Sequence, residues 1–88
     1  MQRTVEVVGQ DCNLFVVHLV HQCRGDVRWV EYTVSRQWLG GLDPVAEGTA
    51  TVVRNVFATV GAFDGEASQL ARAVERAVEE AREMLTGN

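Results

Sequence analysis

The sequence contains no lysine and no isoleucine, and it has only one proline and two cysteines in 88 residues. Its eight basic residues are all arginines, and twelve acidic residues outnumber them to give a formal net charge of −4. A protein that binds the nucleic-acid backbone carries a basic surface. The charge balance therefore argues against a nucleic-acid partner.

Long hydrophobic runs are also missing. The longest run, residues 14–20, contains His18 and is far shorter than the roughly 20 apolar residues that cross a bilayer. Residues 1–9 lack the apolar core and the small-residue cleavage pattern of a secretory signal. We therefore expect a cytoplasmic protein with no membrane partner.

The composition is that of an ordinary folded domain. Hydrophobic residues make up 47% of the chain and charged residues 23%, which is typical of a globular rather than a disordered protein. The length suits one hydrophobic core. We expect a single domain over residues 1–88.

A β-hairpin is predicted at the centre of this domain, with strands over residues 13–23 and 27–38. The turn is placed at Arg24-Gly25, because glycine adopts a positive φ without steric conflict. This register sets His18 opposite Glu31 and gathers apolar side chains on one face of the hairpin. The residues of that face are Phe15, Val17, Leu19, Val30, Tyr32 and Val34.

A further strand is predicted over residues 3–8, antiparallel to the first hairpin strand. Gly9, Gln10 and Asp11 are typical turn residues between the two. This pairing brings Val5 and Val7 onto the apolar face. The first half of the chain therefore predicts a three-stranded antiparallel meander.

Residues 44–60 are predicted to form a helix. Asp43-Pro44 is typical of a helix start, and the apolar residues that follow lie within one arc at 100° per residue. The valines, the threonines and Gly48 are poor helix formers. The alternative is therefore a fourth strand over residues 50–60.

Residues 66–85 show the clearest helical pattern in the chain, with Leu70, Val74 and Val78 on one stripe and charged residues opposite. The prediction is an α+β fold in which both helices pack on one face of the meander. The alternative fold is a four-stranded antiparallel sheet with one C-terminal helix.

Helices on one face leave the other face of the sheet without a cover, and that face is more apolar than a solvated surface should be. Uncovered apolar surface on a small domain usually marks an interface, and a two-fold axis is the commonest way to bury it. The predicted interface residues are Val16, His18, Val20, Val27, Trp29 and Glu31.

The predicted function is that of a small non-enzymatic protein–protein interaction module, such as a regulator, an adaptor or an inhibitor. Its principal partner is a second copy, which makes a homodimer through the sheet, and another protein is a further partner. The alternative is a small-molecule binding or catalytic subunit with a pocket near His18 and Glu31. The sequence supplies no serine or third carboxylate to complete a catalytic site there, so we predict no catalytic residue.

All the thiols and imidazoles of the chain lie close together in sequence, at Cys12, His18, His21 and Cys23. Side chains alternate along a strand, so these four cannot converge on one metal ion. Eleven extended residues would also separate the two cysteines by roughly 35 Å, too far for a disulfide. We therefore predict no metal, no other cofactor and no disulfide.

Overall fold

The computed structural model describes residues 1–9 and 13–87. Within these residues it shows five strands followed by one helix: β1 (Gln2–Val8), β2 (Leu14–Arg24), β3 (Val27–Trp38), β4 (Gly41–Ala50), β5 (Asn55–Thr59) and α1 (Ala67–Thr86). The strands form an antiparallel sheet in sequence order. The α+β class and the antiparallel meander are confirmed.

The hairpin of β2 and β3 forms with a different register from the predicted one. Its turn consists of Gly25 and Asp26, with Gly25 at a φ of 62°, and Val17 pairs with Val34. Pairing has shifted by two residues along β3. Because an even shift keeps every side chain on its face, the predicted apolar face survives. The pairing of β1 with β2 is as predicted, with Val5 opposite Val17.

The predicted helix over residues 44–60 is wrong. This stretch belongs to β4, a four-residue turn over residues 51–54 and β5. A β-bulge at Val45, in the middle of β4, brings Val45 and Ala46 both into the core, which interrupts the two-residue alternation. The turn then exposes Val52 and Val53, which the helical arc counted as buried. The propensity of valine and threonine for strands decided the structure.

The alternative fold was closer to the structure. It correctly gave one C-terminal helix and a strand within residues 50–60, where β5 lies. It was wrong about the number of strands, because residues 41–50 form a strand of their own. Pro44 lies in this strand beside the bulge, in the part of β4 that β5 does not pair with, where a missing N–H is tolerated.

Helix α1 begins and ends within a residue of its predicted bounds and covers one face of the sheet. It packs on β2, β3 and β4. Its core-facing stripe includes three fully buried alanines, Ala73, Ala77 and Ala81, whose small side chains let the helix lie close to the sheet. The larger buried side chains of the sheet are Phe15, Val17, Leu19, Val30, Tyr32, Val34 and Val45.

Candidate functional site: the open face of the sheet

The face of the sheet that α1 does not cover, here called the open face, carries apolar side chains on all five strands. Alternation along β1, β2, β3 and β5 points these side chains away from the helix, and on β4 the pairing of Leu42 with Gln37 does the same. Val27 and Leu42 are 62% and 53% exposed, and Val8 and Val56 are exposed as well. Exposed apolar groups on this scale are typical of an interface in a small domain.

All six predicted interface residues lie on the open face. Val16, Val20 and Trp29 are half-buried by their neighbours on the sheet, whereas His18 and Val27 are exposed. Glu31 is exposed too, and its carboxylate accepts a hydrogen bond of 3.0 Å from the indole Nε1 of Trp29. The structure therefore groups these residues on one surface, and their role as an interface stays a prediction.

A row of polar side chains crosses the middle of the open face. Successive cross-strand pairs place Thr4 beside His18, His18 beside Thr33, and Thr33 beside Glu47. Thr4 Oγ1 and His18 Nδ1 lie 3.3 Å apart, within hydrogen-bonding distance. The row divides the apolar residues of the face into two groups.

His18 and Glu31 do not form the cross-strand pair that the sequence predicted. His18 is opposite Thr33, and Glu31 is opposite Val20, because of the two-residue shift of the hairpin. Glu31 lines a shallow depression of about 400 Å³ with Thr33, Glu47 and Thr49, but His18 does not line it. This depression therefore lies on the β4 side of Glu31, away from His18.

The candidate metal ligands that the structure describes, His18, His21 and Cys23, lie apart from one another. Cys12 lies outside the described residues. His18 is on the open face, and His21 is on the opposite face, where its Nε2 accepts a hydrogen bond of 3.2 Å from Arg28 Nε. Cys23 is an exposed free thiol. Across residues 1–9 and 13–87, no three His, Cys, Asp or Glu side chains are grouped to hold a metal ion.

Strand β5 is a second exposed feature. The main prediction assigned residues 44–60 to a helix, and only the alternative placed a strand within residues 50–60. Four of its five residues are exposed, and Phe57 is 48% exposed although it lies on the helix side of the sheet. A groove of about 460 Å³ separates Phe57 from Leu70 and Val74 of α1. The helix lies over the middle of the sheet and leaves this edge uncovered.

In the described part of the chain, no helix combines the length and the apolar character that crossing a membrane requires. Comparisons with protein-family models, with curated proteins and with solved structures give no match to this chain.

Proposed function

We propose that this protein is a non-enzymatic protein–protein interaction module that acts as a homodimer joined through the open face. The observation that carries the proposal is the distribution of apolar side chains in the fold. Helix α1 packs on one face of the sheet, while exposed valine and leucine side chains remain on the other. A second copy packed face to face would remove them from water, at about 25 cal/mol per Å² of apolar surface.

The open face is self-complementary about β3. His18 on β2 and Glu47 on β4 flank Thr33 of β3. Val16 and Pro44 flank Ser35, two residues further along β3, in the same way. A two-fold axis parallel to β3 therefore sets β2 of one copy over β4 of the other. Facing sheets pack about 10 Å apart and about 30° from parallel.

This arrangement pairs opposite chemistry across the interface. Each His18 faces Glu47 of the second copy, which allows two equivalent hydrogen-bonded contacts near the axis. Each Val16 faces Pro44 of the second copy, which adds two apolar contacts. Complementary polar groups of this kind fix the register of an interface that apolar burial drives.

The first test is the mass in solution of wild-type and variant protein, measured by light scattering after size exclusion. We expect the wild type to be at least a dimer at micromolar concentration, and Leu42→Glu to prevent assembly through the open face by burying a charge in it. Val53→Glu is the matched control, because Val53 is 87% exposed but lies in the turn between β4 and β5. A wild-type monomer, or equal effects of the two variants, would overturn the proposal.

A charge exchange tests the register. His18→Glu should weaken the dimer by at least tenfold, because it places two carboxylates face to face. Adding Glu47→Arg should restore most of the affinity. The two positions lie on β2 and β4 with β3 between them, roughly 10 Å apart within one copy. Restoration by the second change would therefore report a contact between copies, and its failure would exclude this axis.

A small-molecule role is the second candidate, and the depression beside Glu31 favours it. Two carboxylates and two threonines line that depression, which suits a polar ligand with several hydrogen-bond donors. A thermal-shift screen of polar metabolites would test this role. A ligand whose stabilisation disappears in Glu47→Gln and survives in Glu79→Gln would support it, and the absence of any stabilising ligand would count against it.

A further inference from the structure

The two edge strands of the sheet differ in how they are protected from pairing with another strand. On β1, Arg3 points toward the helix side and forms ion pairs of 3.2 Å with Glu80 and 3.9 Å with Glu83. Glu6 adds a second charge to β1. Charged side chains on an edge, and those that point inward above all, are a usual protection against edge pairing.

Strand β5 has none of these protections. It contains no charged residue and no proline, and its pairing with β4 continues without a register shift from Asn55 to Thr59. The part of β4 that extends beyond β5 carries Pro44 and the bulge. The backbone groups on the outer side of β5 are therefore the least protected edge of the sheet.

The sequence of β5 is symmetric in chemical character about its central residue. Asn55 and Thr59 are polar, Val56 and Ala58 are small and apolar, and Phe57 lies between them. In an antiparallel pair of β5 strands centred on Phe57, Asn55 faces Thr59 and Val56 faces Ala58. Each side chain then meets one of its own kind on the same face of the sheet.

We propose that β5 pairs antiparallel with β5 of a second copy, about a two-fold axis that is perpendicular to the sheet and passes midway between the two Phe57 residues. The two sheets then become one continuous sheet of ten strands. The two Phe57 rings lie side by side at the centre, where directly opposed Cβ atoms are about 5 Å apart. This contact covers aromatic surface that the fold leaves half exposed and pairs the backbone groups of both edges.

This edge contact is distinct from the face-to-face contact of the proposed function. The axis of the face contact runs parallel to β3 between two sheets, whereas the axis of the edge contact is perpendicular to the sheet and lies between the two β5 strands. The two axes do not intersect, so molecules that use both contacts extend into an open assembly rather than a closed one. The two contacts use different residues, so a substitution can remove one and leave the other.

Cysteine cross-linking tests the register of the edge contact. The background is Cys12→Ser with Cys23→Ser, which removes both native thiols. Phe57→Cys should form a disulfide-linked dimer under oxidised glutathione, because opposed residues of antiparallel strands meet the distance limits of a disulfide. Val56→Cys and Ala58→Cys should each cross-link poorly alone and efficiently when the two proteins are mixed. Val53→Cys is the exposed control.

The cross-linking is repeated with Leu42→Glu, which removes the face contact. Persistence of the Phe57→Cys cross-link there supports an edge contact that is independent of the open face. The proposal is overturned if Phe57→Cys cross-links no faster than Val53→Cys, or if Val56→Cys alone matches it. Neither result affects the light-scattering test of the face contact. Circular dichroism of each variant shows whether the fold is retained.

Discussion

Tyr32 connects the last three strands of the sheet through one side chain. Its ring lies against Gly48 on β4, and its hydroxyl donates a hydrogen bond of 2.6 Å to Asn55 Oδ1 on β5. Burial raises the pKa of Tyr32, and the bond to Asn55 opposes that rise. Gly48 is required at this point because a Cβ there would lie 2.5 Å from the Tyr32 ring and 2.8 Å from the carbonyl oxygen of Val56.

We therefore expect Gly48→Ala to lower the free energy of unfolding by about 1–3 kcal/mol, the usual range for an overpacked core. Gly40→Ala is the matched control, because nothing lies within 4 Å of a Cβ at Gly40. Urea denaturation of the two variants measures the difference. Equal midpoints would show that Tyr32 can move away from Gly48 without loss.

Arg36 performs a similar connecting role at the other end of the molecule. Its guanidinium donates hydrogen bonds to Asp64, which precedes α1, and to Asn13, which precedes β2. The guanidinium carbon also lies 3.9 Å from the centre of the Trp38 ring, which is a cation–π contact. The Arg36 side chain therefore links β3 to the segment before α1 and to the residue before β2.

The Arg36 contact makes stability depend on acid pH. The hydrogen bond from Arg36 and then its positive charge lower the pKa of Asp64 below its usual value. A carboxyl whose pKa is lower in the folded state stabilises the fold above its unfolded pKa, near 4, and this contribution is lost as the pH falls further.

We therefore expect Asp64→Asn to be less stable than the wild type at pH 7, and the difference between them to shrink as the pH falls below about 4. Thermal melting from pH 7 to pH 3 measures both proteins. Glu79→Gln is the control for loss of one carboxylate on an exposed surface. A constant difference between Asp64→Asn and the wild type across this range would contradict the role of the Arg36 contact.

At the scale of elements, α1 owes its position to its alanines. Ala73, Ala77 and Ala81 are fully buried and lie four residues apart, so they form a smooth strip against the sheet. Ala71 is on the flank that faces the groove beside Phe57 and is exposed. The helix can therefore approach β2 and β3 closely while β5 stays outside its reach.

The two flanks of α1 predict opposite effects for the same substitution. Ala77→Leu should destabilise the fold by about 1–3 kcal/mol, because the added atoms have no space against the sheet. Ala71→Leu should leave stability unchanged or raise it, because the side chain extends into the groove. Chemical denaturation of both variants tests this prediction. A large loss for Ala71→Leu would show that the groove is already filled.

At the scale of the whole molecule, the fold has one helix layer on a five-stranded sheet within the described residues. Much of the sheet surface therefore faces water, on the open face and at β5. Self-association stabilises the folded state by mass action, since the unfolded chain does not take part in it. Oligomeric state and stability are consequently coupled in this protein.

We expect the melting temperature of the wild type to rise by several degrees when the protein concentration increases a hundredfold. Leu42→Glu should reduce this rise, and Val53→Glu should keep it. Differential scanning fluorimetry over the concentration series measures the effect. A melting temperature independent of concentration would contradict self-association through either surface.

The sequence by itself determined the elements whose patterns are local. The alternation of β1, β2 and β3 and the helical period of α1 each repeat without interruption, so one hydrophobic face could be assigned to each. The location of Val16, His18 and Trp29 on the face opposite the core followed from the same alternation. An even change of register does not alter that assignment.

Only the tertiary structure decided the second half of the sheet and its edge. The bulge at Val45 and the turn at residues 51–54 change the phase of the apolar pattern. The apolar residues of β4, the turn and β5 therefore have a spacing close to that of a helix. Strand pairing satisfied the backbone of these β-branched residues better than a helix would. The exposure of Phe57 depends on where α1 rests on the sheet, and the close packing of its alanines on the central strands sets that position.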